Sequence, residues 1–224
     1  MIALALDTAR TAGGVALIRE RRSVATREWT GAQRHSEVLW PSIMALLEEE
    51  ALALKDLDAV IVSCGPGRLT GLRVGLAVAK TVCMACGTHL VAVSQFQALA
   101  TAHPVDSNRR LVTLLDGGRD VVLGSLFRAE RGQWETETPL FTLRHDALID
   151  ELRERLSDGP RPLIVGPAAL PVATVLDAIW EGSVPTQEHA HQPTLEGLIA
   201  AGLREIESEA WTDPEQVTPL YHAC

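Results

Sequence analysis

The sequence predicts an α/β protein of two lobes, each built around a mixed β-sheet. Three observations predict it. Apolar runs of strand length alternate with segments of helical periodicity. A polar, proline-containing stretch, His103-Pro104-Val105-Asp106-Ser107-Asn108, separates two runs of different character. The two parts also begin alike. Ile2-Ala3-Leu4-Ala5-Leu6-Asp7 is followed by Arg10 and then by Gly14-Val15-Ala16-Leu17-Ile18, while Leu111-Val112-Thr113-Leu114-Leu115-Asp116 is followed by Arg119 and then by the run Val121–Phe127. Self-similarity of this kind reports duplicated architecture. The expected lobes are residues 1–104 and 105–224, and the sequence leaves open whether a last helix at 195–208 returns to pack on the first lobe.

Taken in order, Ile2–Leu6, Gly13–Ile18 and Ser23–Thr30 read as three strands. Their short links favour an antiparallel meander. A helical segment comes next and ends near Glu50, with Leu39, Ile43, Leu46 and Leu47 on one face. Pro41 fits poorly inside it, so the helix is expected to start near Trp40 or to have a distorted first turn. Ala59–Ser63 is a buried-type strand. The turn Gly65-Pro66-Gly67 then leads into a long helix from about Thr70 to Ala85. Leu90–Val93 is a strand, and Ser94 is placed to cap a helix over Gln95–Ala102. In the second part, Leu111–Leu115, Val121–Phe127, Gln133–Leu143 and Pro162–Val165 read as strands. His145–Leu156, Ala168–Trp180 and Leu195–Ser208 read as helices. The tail Pro214–Cys224 carries no assignment.

Composition narrows the function classes. The chain has 224 residues, of which 46% are hydrophobic and only 4% aromatic, so Leu, Val, Ala and Ile must pack the core. No uninterrupted apolar run reaches the ~18 residues that span a bilayer. The N-terminus lacks a basic leader and meets an acid at Asp7, so it reads as a strand, and a cytoplasmic location with no membrane contact is expected. The net charge of −9 argues against autonomous binding of a nucleic acid. Cys64, Cys83, Cys86 and Cys224 form no disulfide framework. Cys83 and Cys86 have C-x-x-C spacing within a helical pattern, but no second pair completes a zinc site.

The most distinctive stretch runs from Cys64 to Lys80. It is not a P-loop, because Leu72 and Arg73 come after Gly71 where Lys and Ser or Thr are required. Nor is it a dinucleotide turn: the third glycine falls one place late and Pro66 removes an N–H. Gly71, Gly75 and Ala79 instead recur every four residues on one helix face. Glycine there costs about 1 kcal/mol relative to alanine. Something backbone-close must approach that face: a sheet, a helix or another chain. Elsewhere, His189-Ala190-His191 lies in a Pro- and Gln-containing connector and reads as a solvated loop, and the Glu48-Glu49-Glu50 cluster reads as a solvated helix face.

Two lobes that each open with strand, Asp, turn and strand resemble the actin-like ATPase superfamily (the ribonuclease-H-like fold). That resemblance implies a nucleotide held by Asp7 and Thr8 in one lobe and Asp116 and Arg119 in the other. The plainer reading is that both acids are turn residues at strand ends. The superfamily's glycine-rich adenosine loop has only a degenerate counterpart here, Val165-Gly166-Pro167-Ala168-Ala169.

Three motifs together resemble the TsaB (YeaZ) family: Asp7-Thr8-Ala9, then His35-Ser36-Glu37-Val38-Leu39-Trp40-Pro41, then the unbroken Gly65 to Gly75. The resemblance covers roughly the first 125 residues well and the rest loosely, with Leu123 in place of the family's second-lobe tyrosine. It implies a non-catalytic subunit of the machinery that makes N6-threonylcarbamoyladenosine in tRNA. Such a subunit would pair with a TsaD-type enzyme, help recruit a TsaE-type ATPase and meet tRNA only through the complex. Without its partner it would form a homodimer. The implied partner interface comprises His35, Leu39, Trp40, Ile43, Gly71, Arg73, Gly75 and Ala79. The TsaD-type relative carries an H-x-x-x-H metal motif, and here His35 is followed by Leu39 at that spacing. No catalytic residue and no metal ligand is therefore assigned, and ATP or ADP is expected only at low affinity or at the partner interface. The alternative is an ATP-dependent kinase-like enzyme, or a glycoprotease-like protein of the same fold.

Overall fold

The computed structural model of the chain describes residues 1–30 and 34–220, with the side chains of residues 188 and 189 outside that description. Of the four cysteines, Cys224 lies outside the described residues, as does the end of the tail. The chain divides into two compact units. One holds Met1–Ala98 together with the C-terminal segment that begins at Leu195; the other is Leu99–Thr194.

The first unit is built on a five-stranded sheet. Strands β1 (Ile2–Asp7), β2 (Gly13–Arg19) and β3 (Arg22–Trp29) form the antiparallel meander, and β4 (Ala59–Gly65) and β5 (His89–Ser94) extend it in parallel, giving the order β3-β2-β1-β4-β5. Alternation along the strands supplies two different faces. Leu4 and Leu6 of β1, Val15 and Leu17 of β2, and Val60 and Val62 of β4 meet α1 (His35–Glu49) and α2 (Leu69–Cys86). The intervening Ala3, Ala5, Ala16, Ala59 and Ile61 meet α6 (Leu195–Glu207) on the other face. The alanines leave room for a helix to come close. A Cβ on Gly202 of α6 would press into the Ile61 side chain. Ser94 and Gln97 form a reciprocal cap at the start of α3 (Gln95–Thr101). The Ser94 hydroxyl accepts from Gln97 N–H at 3.1 Å, and Gln97 Oε1 accepts from Ser94 N–H at 3.0 Å.

The second unit repeats the sheet plan with four strands. Strands β6 (Arg110–Gly118), β7 (Val121–Glu130) and β8 (Gln133–Arg144) run antiparallel, and β9 (Pro162–Val165) joins β6 in parallel, giving β8-β7-β6-β9. The helices α4 (Leu148–Arg155) and α5 (Ala173–Ile179) complete the unit. Leu148 and Leu152 of α4 and Leu176 of α5 pack with Val112, Leu114 and Ile164 of the sheet.

Three local expectations change, each for a physical reason. The first helix starts at His35, and Pro41 lies inside it. The ring removes one hydrogen bond, but the carbonyl it releases belongs to Glu37, which is exposed and can be hydrated. The expected helix over 168–180 is a 3-10 segment, Pro167–Val172, that leads into α5. Pro171 interrupts the α-helical bonding there. Third, α2 is long and apolar enough to cross a membrane by length and composition, with a mean hydropathy of 1.4 over 18 residues. Arg73 and Lys80 interrupt its sequence, and its Leu72, Leu76, Ala79 and Val82 are buried in the first unit, as in a core helix.

His191 gives a further correction, because it is fully buried rather than in a solvated loop. Its Nε2–H donates to Pro185 O at 2.8 Å, and its Nδ1 accepts from Gly166 N–H at 3.1 Å. Nearby, His103 donates from Nε2 to Ala190 O at 2.9 Å, and Trp134 Nε1–H donates to His103 O at 3.1 Å. Burial is the main cause that holds the His103 pKa below its ordinary 6.5, with the neighbouring His191 adding to it.

These contacts set two expected outcomes. Gly202→Val should cost about 1–3 kcal/mol of unfolding free energy in a denaturant titration, because Ile61 must move. For His103, the unfolded chain takes up a proton more readily than the folded one, so stability present above pH ~6.5 is lost as the pH falls below it. His103→Gln should flatten the decline in melting temperature between pH 7 and pH 5.

Candidate functional site

The turn after β1 is the centre of the first unit's chemistry. Asp7 and Thr8 are both fully buried. One carboxylate oxygen of Asp7 accepts from Ala9 N–H at 3.1 Å and from Gln95 Nε2 at 3.2 Å, and the other pairs with Arg10 at 3.3 Å. Gln95 Nε2 also donates to Ser63 Oγ at 2.7 Å. Both carboxylate oxygens therefore serve to fix the turn. The Thr8 hydroxyl donates to the carbonyl of Gly71 at 2.8 Å.

The glycine face of α2 is shaped by that turn. A Cβ on Gly71 would strike the Thr8 carbonyl, one on Gly75 the Thr8 hydroxyl, and one on Gly67 the backbone of Ala9. Arg68 N–H donates to Ala9 O at 2.8 Å, tying the start of α2 to the same turn. The backbone-close neighbour demanded by the glycine spacing is thus the chain's own Thr8. This corrects the assignment of Gly71, Gly75 and Ala79 to a partner surface, since all three are buried inside the unit.

His35 is also committed internally. Trp29 Nε1–H donates to its Nδ1 at 2.9 Å, and its Nε2–H donates to Arg10 O at 2.9 Å. It clamps the end of β3 to the Asp7 turn, so neither ring nitrogen is left for a metal or a partner. Leu39 and Ile43 are core residues of the same unit, again a correction of their interface assignment. Of the C-x-x-C pair, Cys83 is held as a thiol: burial is the main cause that raises its pKa. Burial likewise pushes Cys64 up to about 11, so it stays a thiol near neutral pH.

What remains exposed is a different set. Trp40 and Arg73 look outward, and with them come Met44 of α1 and Leu69, Ala77 and Met84 of α2. Trp40, Met44 and Leu69 are each more than 40% exposed and Met84 is 66% exposed, although all are large and apolar. The two helices lie beside one another on the same sheet face, with these residues turned away from the shared core. Met44, Leu69 and Met84 escaped the sequence reading. Their signal was available, since Trp40 and Met44 stand four apart, and Ala77 and Met84 seven apart, off the core stripe. At the N-terminal ends of the two helices a cleft of about 310 Å³ is lined by Thr11, Arg34, His35, Ser36, Arg68 and Thr70. Arg68 donates to the Thr11 hydroxyl at 3.1 Å, and Arg34 faces Glu37 at 3.5 Å.

In the second unit, Asp116 is exposed near the end of β6 and Arg119 on the turn between β6 and β7. Asp116 Oδ1 accepts from Gly118 N–H at 2.8 Å, the turn role that aspartate commonly plays. Gly166 has φ +117, and a Cβ there would strike Leu114 O, so the loop is folded down on its own sheet.

The sequence and fold have relatives. The family model for tRNA N6-adenosine threonylcarbamoyltransferase, TsaD, matches residues 30–136. The tRNA threonylcarbamoyladenosine biosynthesis protein TsaB of Bacillus subtilis is 29% identical over 164 residues, which are 73% of this chain and 69% of that protein. An uncharacterized Mycobacterium tuberculosis protein is 40% identical over 98 residues, 43% of this chain and 46% of the relative, so the match spans about half of that protein. The solved structure of YeaZ from Pseudomonas aeruginosa covers 99% of both chains with a TM-score of 0.75 at 23% identity. In sequence and fold this chain is similar to the TsaB (YeaZ) proteins. The fold is the α/β, actin-like one with a mixed sheet in each unit. Component A of (R)-2-hydroxyglutaryl-CoA dehydratase from Acidaminococcus fermentans shares it at a TM-score of 0.51 and 12% identity, over 94% of this chain and 99% of that one. Within this chain, the Asp-Thr-Ala and glycine-rich motifs meet each other, and the unspent surface lies on the outer sides of α1 and α2.

A double-mutant cycle tests the fit of the turn into the helix. Gly75→Ala should lose about 1–3 kcal/mol of stability, because its Cβ meets the Thr8 hydroxyl. Combining it with Thr8→Ala should recover part of that loss, and strictly additive changes in urea unfolding would contradict the contact.

Proposed function

We propose that this chain acts in the formation of threonylcarbamoyladenosine on tRNA, as a non-catalytic subunit that docks a TsaD-type threonylcarbamoyltransferase through the outer faces of α1 and α2. Likeness to TsaB supports the pathway, since the Bacillus subtilis relative is named for that biosynthesis. One observation carries the docking role. The inner faces of the two helices are filled by the chain's own sheet and by Thr8, while Trp40, Met44 and Met84 stay exposed on one side. Exposed large apolar side chains on neighbouring helices suit an interaction site. Two such helices offer a partner helix pair ridges and grooves for bundle packing. Without the enzyme, the same surface pairs with a second copy.

In this reading the subunit acts in the cytoplasm. The joint surface recruits the TsaE-type ATPase, and tRNA is met through the complex, in keeping with a net charge of −9. A nucleotide at the partner interface would find guanidinium and hydroxyl groups in the cleft of Arg34, Arg68 and Thr70. The buried, fully bonded Asp7 supports a non-catalytic role, because a carboxylate bound by Arg10, Ala9 and Gln95 has no oxygen left to position a metal on phosphate.

Co-expression with the TsaD-type enzyme of the same genome tests this. The two chains should elute together, and Trp40→Glu combined with Met84→Glu should weaken their association at least tenfold. Both residues are exposed, so the melting temperature should stay within a few degrees. Undiminished co-elution of the folded double variant would remove α1 and α2 from the interface.

A further inference from the structure

The second unit holds a cleft of about 180 Å³ between its sheet and α4, separate from the faces described above. A dry cavity of roughly 150 Å³ admits one benzene ring, so this volume suits a ring or branched chain with one small polar group. Val112, Leu126, Leu152 and Leu156 give it an apolar floor, and Phe141 forms one wall.

The strand geometry explains why the space is open. Strand β8 carries an extra residue at two places opposite β7: Gly124 pairs with Phe141, Leu126 with Thr138, and Phe127 with Thr136. Bulges re-aim side chains and recur beside binding sites. A Cβ on Gly124 would overlap the Phe141 ring, so the missing side chain lets that ring lie against β7.

The rim carries the chemistry. Arg110 is spoken for: one guanidinium nitrogen donates to Asp158 O at 2.7 Å and another to Glu137 at 3.0 Å. Arg155 is not. Its guanidinium lies 4.8 Å from the centre of the Phe141 ring, and among the described residues it makes no ion pair. An arginine stacked on an aromatic ring keeps its in-plane N–H donors free for a planar, two-oxygen acceptor. Glu137 on the same rim disfavours a second negative charge.

We propose that this cleft binds a small monocarboxylate with an apolar body, the carboxylate on Arg155 and the body on the leucine floor. The partner-docking role of the first unit neither requires this site nor depends on it.

The test titrates the full chain with 4-fluorobenzoate, monitored by fluorine NMR. Saturable binding is expected, weakened at least tenfold in Arg155→Gln, with 4-fluorobenzylamine not binding and 4-fluorophenyl phosphate binding more weakly. Arg155 is exposed, so that variant should keep the circular dichroism spectrum of the parent. Methyl shifts of Leu152 and Leu156 on adding benzoate should locate the ligand. The proposal fails if binding does not saturate, if Arg155→Gln binds equally well, if the amine binds as tightly as the acid, or if the shifts fall elsewhere.

Discussion

The first unit depends on the seating of a single threonine. Thr8 comes directly after the strand that centres the sheet, and its backbone and hydroxyl occupy the space that side chains at Gly71 and Gly75 would fill. The hydroxyl also bonds the Gly71 carbonyl. This contact fixes the height of α2 above the sheet. It therefore fixes where Leu72, Leu76 and Val82 enter the core. Burying a residue of that size stabilises the fold by about 1.5–3 kcal/mol, so losing the register of α2 would put several such contributions at risk together. The Asp7 carboxylate, His35 and Arg68 all brace the same turn.

That constraint divides the two helices into a spent side and an unspent side. The apolar residues turned inward are already buried by the sheet, and the helical period puts Trp40, Met44 and Met84 on the opposite side. A helix that is apolar all round belongs in a core. Here one side has a core and the other has solvent, and on this imbalance the proposed docking rests. Methionine suits such a surface, because its flexible thioether adapts to the shape presented to it.

Most of the elements were legible from pattern alone. The meander of β1 to β3, the parallel pairing of β4 and β5, the Ser94 cap and the repeated strand-Asp-turn-strand opening all arise from period, turn residues and link length. Local exceptions were less legible. Pro41 is tolerated because the carbonyl it frees lies on an exposed turn, which depends on how the helix is docked. Pro171 breaks a helix that apolar spacing alone would continue. His191 reads as solvated from its Pro- and Gln-rich neighbours, yet Gly166 and Pro185 surround it with backbone partners from elsewhere in its unit. The candidate site divides in the same way: Trp40 and Arg73 are on the surface, whereas His35, Leu39, Ile43, Gly71, Gly75 and Ala79 serve the interior.

The sequence by itself determined that two sheets would form, that glycines at every fourth position required a close neighbour, and that no metal motif begins at His35. These are properties of spacing and residue type, which act locally along the chain. Only the tertiary structure decided which neighbour fills the glycine face, which apolar residues of α1 and α2 are left over, and which sheet receives α6. Those outcomes depend on contacts between residues far apart in the chain, such as Thr8 with Gly75 and Ile61 with Gly202. Periodicity tells which residues share a face, but not what that face will meet.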